Sequence, residues 1–139
     1  MQAQRIWQAA VAVAVTMLAV PVAVAPGGAA QAARPAPVLS VEVAKQARLL
    51  DGGQRAEVRV TTTCPAGALP MEALLYVNQD GNSTEFGSLG VVCDGRRHRS
   101  TTTVTALGFQ LHRGAATVSS YLLLESGESV SPVHDVVLR

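Results

Sequence analysis

The fold of this chain is decided by residues 55–64, which read RAEVRVTTTC. Small or apolar side chains occupy every second position, and charged or hydroxylated side chains occupy the positions between them. Such a period of two indicates a half-buried β-strand, since successive side chains of a strand point to opposite faces. The face predicted to be buried carries Ala56, Val58, Val60, Thr62 and Cys64. The alternation therefore predicts a strand that directs Cys64 into a core.

Similar short runs recur on both sides of this strand, with turn-forming residues between them. They lie at 38–43, 47–50, 71–78, 86–93, 97–107, 116–125 and 133–138, and glycine-containing or asparagine-rich turns separate them. Residues 71–75 could form a helix, but the run length and the turn at 78–82 favour a strand. Gly87 and Gly90 divide 86–93 into one or two short strands. The pattern predicts an all-β fold, an antiparallel immunoglobulin-like sandwich of about seven strands.

The N-terminal stretch has the composition of a secretory signal peptide. Arg5 precedes an apolar run from Ile6 to Val24, and the small residues Ala30 and Ala32 then form a cleavage site. We expect cleavage after Ala32, which assigns 1–32 to the signal peptide, 33–37 to a linker and 38–139 to the β-sandwich domain. Cleavage after Ala25 and retention of the apolar run as a membrane anchor are the alternatives. The expected localisation is secreted, with no membrane association after cleavage.

The composition of the predicted mature chain excludes several kinds of partner. From residue 33 onward it has ten basic and ten acidic side chains, so electrostatics gives no reason to expect a nucleic acid partner. Its aromatic residues are Tyr76, Phe86, Phe109 and Tyr121. So few rings argue against an aromatic sugar-binding platform and require a core of valine, leucine, alanine and methionine. A single domain of this size is expected to be a monomer.

Cys64 and Cys93 are the only cysteines, and in an exported chain they are expected to form one disulfide. A redox or metal-binding pair is the alternative, but the spacing is not Cys-x-x-Cys and no histidine lies nearby. The cysteines are closer in sequence than those of antibody domains, and the mature chain lacks the tryptophan that antibody domains bury. The prediction is therefore an immunoglobulin-like sandwich of strands and not an antibody-type domain.

Three sequence elements resemble a group of small secreted actinobacterial proteins of unassigned function. These elements are VRVTTTCPAG at 58–67, VVCDG at 91–95 and FQLHRGAA at 109–116. They match the group's Cys-Pro-x-Gly and Val-x-Cys-x-Gly pattern over about residues 47–139, although Phe109 and Gly114 are one residue further apart than in the group. The second cysteine pair that is frequent in the group is missing here. The resemblance implies the sandwich fold and export, and it implies no activity.

Candidate catalytic residues are few. His98, His112 and His134, the last followed by Asp135, have spacings that match no local metal motif, and no nucleophile elbow is present. Residues 80–85 resemble a calcium loop faintly, but a hairpin turn explains them better. We therefore expect no enzyme activity, no catalytic or metal-binding residues and no cofactor. A small extracellular enzyme remains an alternative that would need the histidines to converge.

The one cluster of charge is at 96–99. Arg97 and Arg99 would share a strand face, and with Arg96 they form a candidate anion-binding site. The alternative is a charged edge strand that discourages aggregation.

The function expected from these residues is non-catalytic surface recognition, or a structural role, at the cell exterior. Its partner would be an extracellular protein or a wall polymer. The alternative is a secreted protease inhibitor that uses the 64–71 loop, with Leu69 or Met71 as the primary contact residue.

Overall fold

The computed structural model describes residues 38–139, so the predicted signal peptide and linker lie outside the described residues. Ten strands occupy this part of the chain, and seven of them have four residues or more. Their bounds are β1 Ser40–Val43, β2 Gln46–Leu50, β3 Arg55–Thr63, β4 Pro70–Gln79, β5 Asn82–Ser83, β6 Gly87–Ser88, β7 Arg97–Thr105, β8 Gly114–Leu124, β9 Ser129–Val130 and β10 Val133–Leu138. Within 38–139 no helix is long and apolar enough to cross a membrane.

The strands form two layers that share β2. In the first sheet β3 pairs with β1 and the second half of β2 on one side and with β7 on the other. In the second sheet β8 pairs with β4 and β10, and the short strands β5, β6 and β9 extend this sheet. The first residues of β2 pair in parallel with β10, while every other pairing is antiparallel. The predicted immunoglobulin-like sandwich is confirmed.

Aliphatic side chains from both sheets fill the space between the layers. Val58 and Val60 of β3, Leu75 and Val77 of β4 and Leu122 of β8 belong to one cluster of buried side chains. The five inward positions predicted for β3 are all at most 1% exposed. Burial of a valine or leucine side chain stabilises a fold by about 1.5–3 kcal/mol, so this interior supplies the main driving force in a domain with few aromatic residues.

Two segments have local features that the sequence does not indicate. Of the one or two short strands predicted at 86–93, the structure has one, the two-residue β6. This strand pairs with β4, and Gly87 packs so tightly on β7 that an added Cβ would lie 2.5 Å from Thr102 Cγ2. Met71 is 68% exposed and lies at a bulge of β4 between Pro70 and Glu72, where the alternation of the strand is broken.

The predicted disulfide joins Cys64, just after β3, to Cys93, in the segment before β7. Since β3 and β7 are neighbours in one sheet, the bridge closes the end of their ladder instead of linking the two layers. The backbone N–H of Gly95 donates to the carbonyl of Cys64 at 2.9 Å, and the N–H of Gly67 donates to the carbonyl of Cys93. The disulfide thus anchors both the start of β7 and the turn that follows β3.

Candidate functional site

The three arginines of the candidate anion-binding site have different surroundings. Arg97 and Arg99 both point outward from β7, but Arg97 forms an ion pair with Glu42 of β1. Arg96 precedes the strand, where its backbone N–H bonds to Asp94. Within residues 38–139 β7 pairs with β3 alone, so it is an edge strand, as the charged-edge alternative requires.

The three histidines lie on different elements with different partners. His98 of β7 bonds through Nε2 to Asp94 Oδ1 at 2.8 Å, whereas His112, before β8, bonds to Asp80 in the β4–β5 turn. His134 lies on β10, opposite Val118 of β8. Among the described residues no three His, Cys, Asp or Glu side chains are grouped as a metal ion would require.

In each of the two acid–histidine contacts the pKa of one side chain is shifted. The bond from His98, assisted by the backbone N–H of Arg96, lowers the pKa of Asp94 below its ordinary value. The bond to Asp80, assisted by the carbonyl of Arg113, raises the pKa of His112. Because these side chains are exposed, the pairs are surface contacts that tie neighbouring segments together.

The 64–71 loop is exposed and braced. Residues 65–68 form a turn in which the N–H of Ala68 donates to the carbonyl of Pro65, and Gly67 takes the positive φ of 78° that the turn requires. Leu69 is 62% exposed, and its carbonyl accepts a bond from the N–H of Glu125 at 2.8 Å. The disulfide holds one end of this loop and β8 holds the other.

A larger feature is the outward face of the second sheet, here called the aromatic face. It is formed by outward side chains of β4, β8 and β10 together with Phe86, and its apolar members are Leu74, Tyr76, Phe86, Tyr121, Leu123 and Val133. The rings of Tyr76 and Phe86 meet edge to face, with centroids 5.4 Å apart and planes at 89°. Three of the four aromatic residues between 38 and 139 therefore lie on this one surface.

Strand register sets the arrangement of the aromatic face. Tyr76 of β4 lies opposite Ser119 of β8, which in turn lies opposite Val133 of β10. Two residues earlier in β4, Leu74 lies opposite Tyr121. The two tyrosines are therefore diagonal neighbours on this face, with backbones about 7–8 Å apart. Phe86 is 68% exposed and Val133 is 64% exposed. The result is an apolar strip across three strands, interrupted by Ser119 between Tyr76 and Val133.

Charge is sparse on this surface and of one sign. The outward positions of β4, β8 and β10 carry Glu72 and Asp135, and the same positions in these three strands carry no lysine or arginine. The alternation of β4 already indicates that Tyr76 points outward, but the sequence does not show that β4 pairs with β8. Sequence reasoning missed the aromatic face for that reason.

Comparison with known proteins indicates similarity of fold only. No protein-family model matches the chain, and no curated protein matches it. The crystal structure of CopC from Methylosinus trichosporium OB3b is similar, with 16% sequence identity, a TM-score of 0.41 and coverage of 72% of this chain and 90% of that chain. The structure of murine CRIg is similar with 11% identity, a TM-score of 0.43 and coverage of 73% and 97%. At this level of similarity the two structures give no information about the function of this chain.

Proposed function

We propose that this chain is a secreted, non-catalytic recognition protein that binds another extracellular protein through its aromatic face. The observation that carries the proposal is the outward placement of Tyr76 and Tyr121, both half-buried, beside the exposed Phe86, while valines and leucines fill the interior. Large rings would stabilise the fold most if they were buried, and exposed clusters of apolar side chains on small domains are typical of binding sites. The disulfide supports export, since such bonds persist in oxidising compartments.

The shape and charge of the aromatic face favour a protein partner. Three neighbouring strands form a broad surface, which suits an extended protein interface with aromatic residues at its centre. Glu72 and Asp135 contribute negative charge beside the apolar strip. We therefore expect the partner to present an apolar patch bordered by lysine or arginine.

Site-specific photo-crosslinking tests this proposal. The full chain is produced with Phe86→p-benzoylphenylalanine and mixed with the extracellular fraction of the source organism. The matched control carries the same substitution at Thr103, an exposed residue on the first sheet. We expect a discrete adduct from position 86 and none from position 103. Excess unmodified protein should suppress the adduct, and an equal excess of a Tyr76→Ser/Tyr121→Ser variant should not.

Three results would contradict the proposal. Equal adducts from both positions would indicate non-specific capture, and the absence of any adduct would remove the aromatic face as a binding site. An adduct of twice the protein's own mass that contains only its own peptides would show self-association instead. Circular dichroism of the Tyr76→Ser/Tyr121→Ser variant establishes that its failure to compete does not come from unfolding.

A second candidate function, protease inhibition, is favoured by the braced 64–71 loop. Leu69 and Met71 are both more than 60% exposed, and backbone hydrogen bonds hold the chain on each side of them. Titration against subtilisin and chymotrypsin tests this candidate, and stoichiometric inhibition lost in a Leu69→Gly variant would support it. Full protease activity in the presence of excess protein would exclude it.

A further inference from the structure

Three arginines form a diagonal line across the outward face of the first sheet. Arg48 lies on β2, Arg59 on β3 and Arg99 on β7. Thr61 of β3 lies opposite Arg99, and Glu57 of β3 lies opposite Arg48. Arg59 is two residues from each of these β3 positions. Successive arginines are therefore diagonal neighbours, with backbones about 7–8 Å apart. We call these three residues the arginine diagonal.

The members of the arginine diagonal carry no acid partner at salt-bridge distance among residues 38–139. The other two arginines on the same face differ in this respect, since Arg55 pairs with Asp51 and Arg97 pairs with Glu42. The pairing of Arg97 also neutralises Glu42, so Glu57 is the one carboxylate left beside the diagonal. A net positive charge therefore remains along this line.

Two adjoining grooves follow the same line. The first has a volume of about 490 Å³ and is lined by Arg59, Arg99, Thr61 and Thr101 together with part of β1. The second has a volume of about 320 Å³ and is lined by Arg48, Glu57, Arg59 and Arg139 together with the start of β2. Arg59 lies between the two grooves and lines both. A ligand that follows both grooves would meet all three guanidinium groups.

We propose that the arginine diagonal binds a linear polyanion, a polymer with phosphate or carboxylate groups along its length. The backbones of the three arginines span about 15 Å in two diagonal steps, a length that suits several anionic groups along a polymer better than one small anion. The guanidinium group binds phosphate and carboxylate alike through paired N–H donors. Thr61 and Thr101 add hydroxyl donors beside Arg59 and Arg99. Each exposed contact is weak, and a polymer gains affinity by making several at once.

This site is independent of the proposed protein partner. The arginine diagonal lies on the outward face of the first sheet, and the aromatic face lies on the outward face of the second. The two surfaces are therefore on opposite sides of the sandwich. One molecule could bind a protein and an anionic wall polymer at the same time.

The test measures binding of the full chain to two immobilised polymers. Poly(glycerol phosphate) presents phosphate groups and polygalacturonate presents carboxylate groups, so the comparison shows which anion the site prefers. The test variants are the single substitutions Arg59→Gln and Arg99→Gln. Each is compared with Arg113→Gln, the matched control, which removes the same charge from an exposed arginine off the diagonal. We expect each arginine lost from the diagonal to weaken binding roughly three- to tenfold and to reduce the salt dependence by about one unit of slope. The control should bind within about twofold of the unmodified protein, as expected for charges outside the contact.

Several outcomes would overturn the proposal. Equal weakening by the test variants and the control would show attraction to net charge alone. Monomeric glycerol phosphate that competes as well as the polymer at equal phosphate concentration would indicate a single-anion site. Tighter binding to an oligothymidylate with the same number of phosphates would assign the surface to nucleic acid. A Tyr76→Ser/Tyr121→Ser variant should retain full polymer binding, so failure of this proposal and failure of the aromatic face can be distinguished.

Discussion

The side chain of Gln79 forms a reciprocal pair of hydrogen bonds with the backbone of His112. Its Nε2 donates to the carbonyl of His112 at 2.9 Å, and its Oε1 accepts the N–H of His112 at 2.8 Å. Nε2 also donates to the carbonyl of Ala115 at 3.2 Å. Gln79 is the last residue of β4 and is only 4% exposed, so a buried side chain fixes the chain just before β8. The chain entering β8 is therefore held to the end of β4 by one buried amide.

Replacement of Gln79 should be costly for this reason. In a Gln79→Met variant the N–H and carbonyl of His112 and the carbonyl of Ala115 lose their hydrogen-bond partner, a side chain that is itself buried. We expect the free energy of unfolding to fall by about 2–4 kcal/mol. Urea denaturation followed by circular dichroism measures this loss.

The adjacent Asn78 provides the matched control. Its side chain points outward and bonds to Ser83 Oγ at 3.0 Å at an exposed position. Asn78→Ala should change the free energy of unfolding by about 0.5 kcal/mol or less, as expected for a surface substitution. Similar losses in the two variants would contradict the role given to Gln79.

Gly52 and Gly53 are consecutive glycines that should respond differently to the same substitution. Both have positive φ, 64° and 92°, but a Cβ on Gly53 would lie 2.0 Å from the carbonyl oxygen of Leu111. That backbone cannot move aside easily, because the N–H of Leu111 donates to the carbonyl of Gly53 at 2.8 Å. A Cβ on Gly52 would contact nothing within 4 Å.

We therefore expect Gly52→Ala to cost about 1–2 kcal/mol, the penalty of a left-handed backbone conformation alone. Gly53→Ala should cost more than about 4 kcal/mol, since the steric clash adds to that penalty. Thermal unfolding of both variants checks the difference. Equal melting temperatures would show that the chain before β8 relaxes around the added methyl group.

In this chain the sequence predicts features that neighbouring residues determine, and it does not predict features that depend on how distant strands pair. The alternation at 55–64 predicts β3 and its buried face correctly, because side-chain direction in a strand is local. The pairing of β4 with β8 is not local, and the aromatic face depends on it. The arginine diagonal likewise requires the registers of β2 and β7 against β3. Sequence reasoning could propose Arg97 and Arg99 as a pair, but Glu42, which engages Arg97, lies on another strand.

Removal of the disulfide should cost a large part of the total stability. It closes a loop with a sequence separation of 29 residues, for which chain entropy gives about 3–4 kcal/mol. A Cys64→Ala/Cys93→Ala variant should lose about this amount in urea unfolding, and reduction of the unmodified protein should lower stability similarly. A loss below about 1 kcal/mol would mean that the backbone hydrogen bonds around Cys64 hold the end of the ladder without the bridge.

The contact between His112 and Asp80 should make stability depend on pH in a defined direction. Asp80 raises the pKa of His112 in the folded state, so folding favours the protonated ring. This contribution is complete below the unfolded pKa of about 6.5 and is lost as the pH rises through the higher folded value. An NMR titration of the ring protons of His112 should therefore show a midpoint above the ordinary value. In an Asp80→Asn variant the midpoint should move down.

The contact between Asp94 and His98 should also make stability depend on pH, but in the opposite direction and at lower pH. The bond from His98 lowers its pKa from the ordinary value of 3.8, so its contribution is present above that value and is lost as the pH falls through the folded pKa. Asp94→Asn is the control for the NMR titration of His112. It removes the other acid–histidine pair and should leave the His112 midpoint unchanged. A His112 midpoint that is the same in the unmodified protein and in Asp80→Asn would mean that Asp80 does not stabilise the protonated ring. The Gln79 amide would then be the principal contact between the end of β4 and the chain before β8.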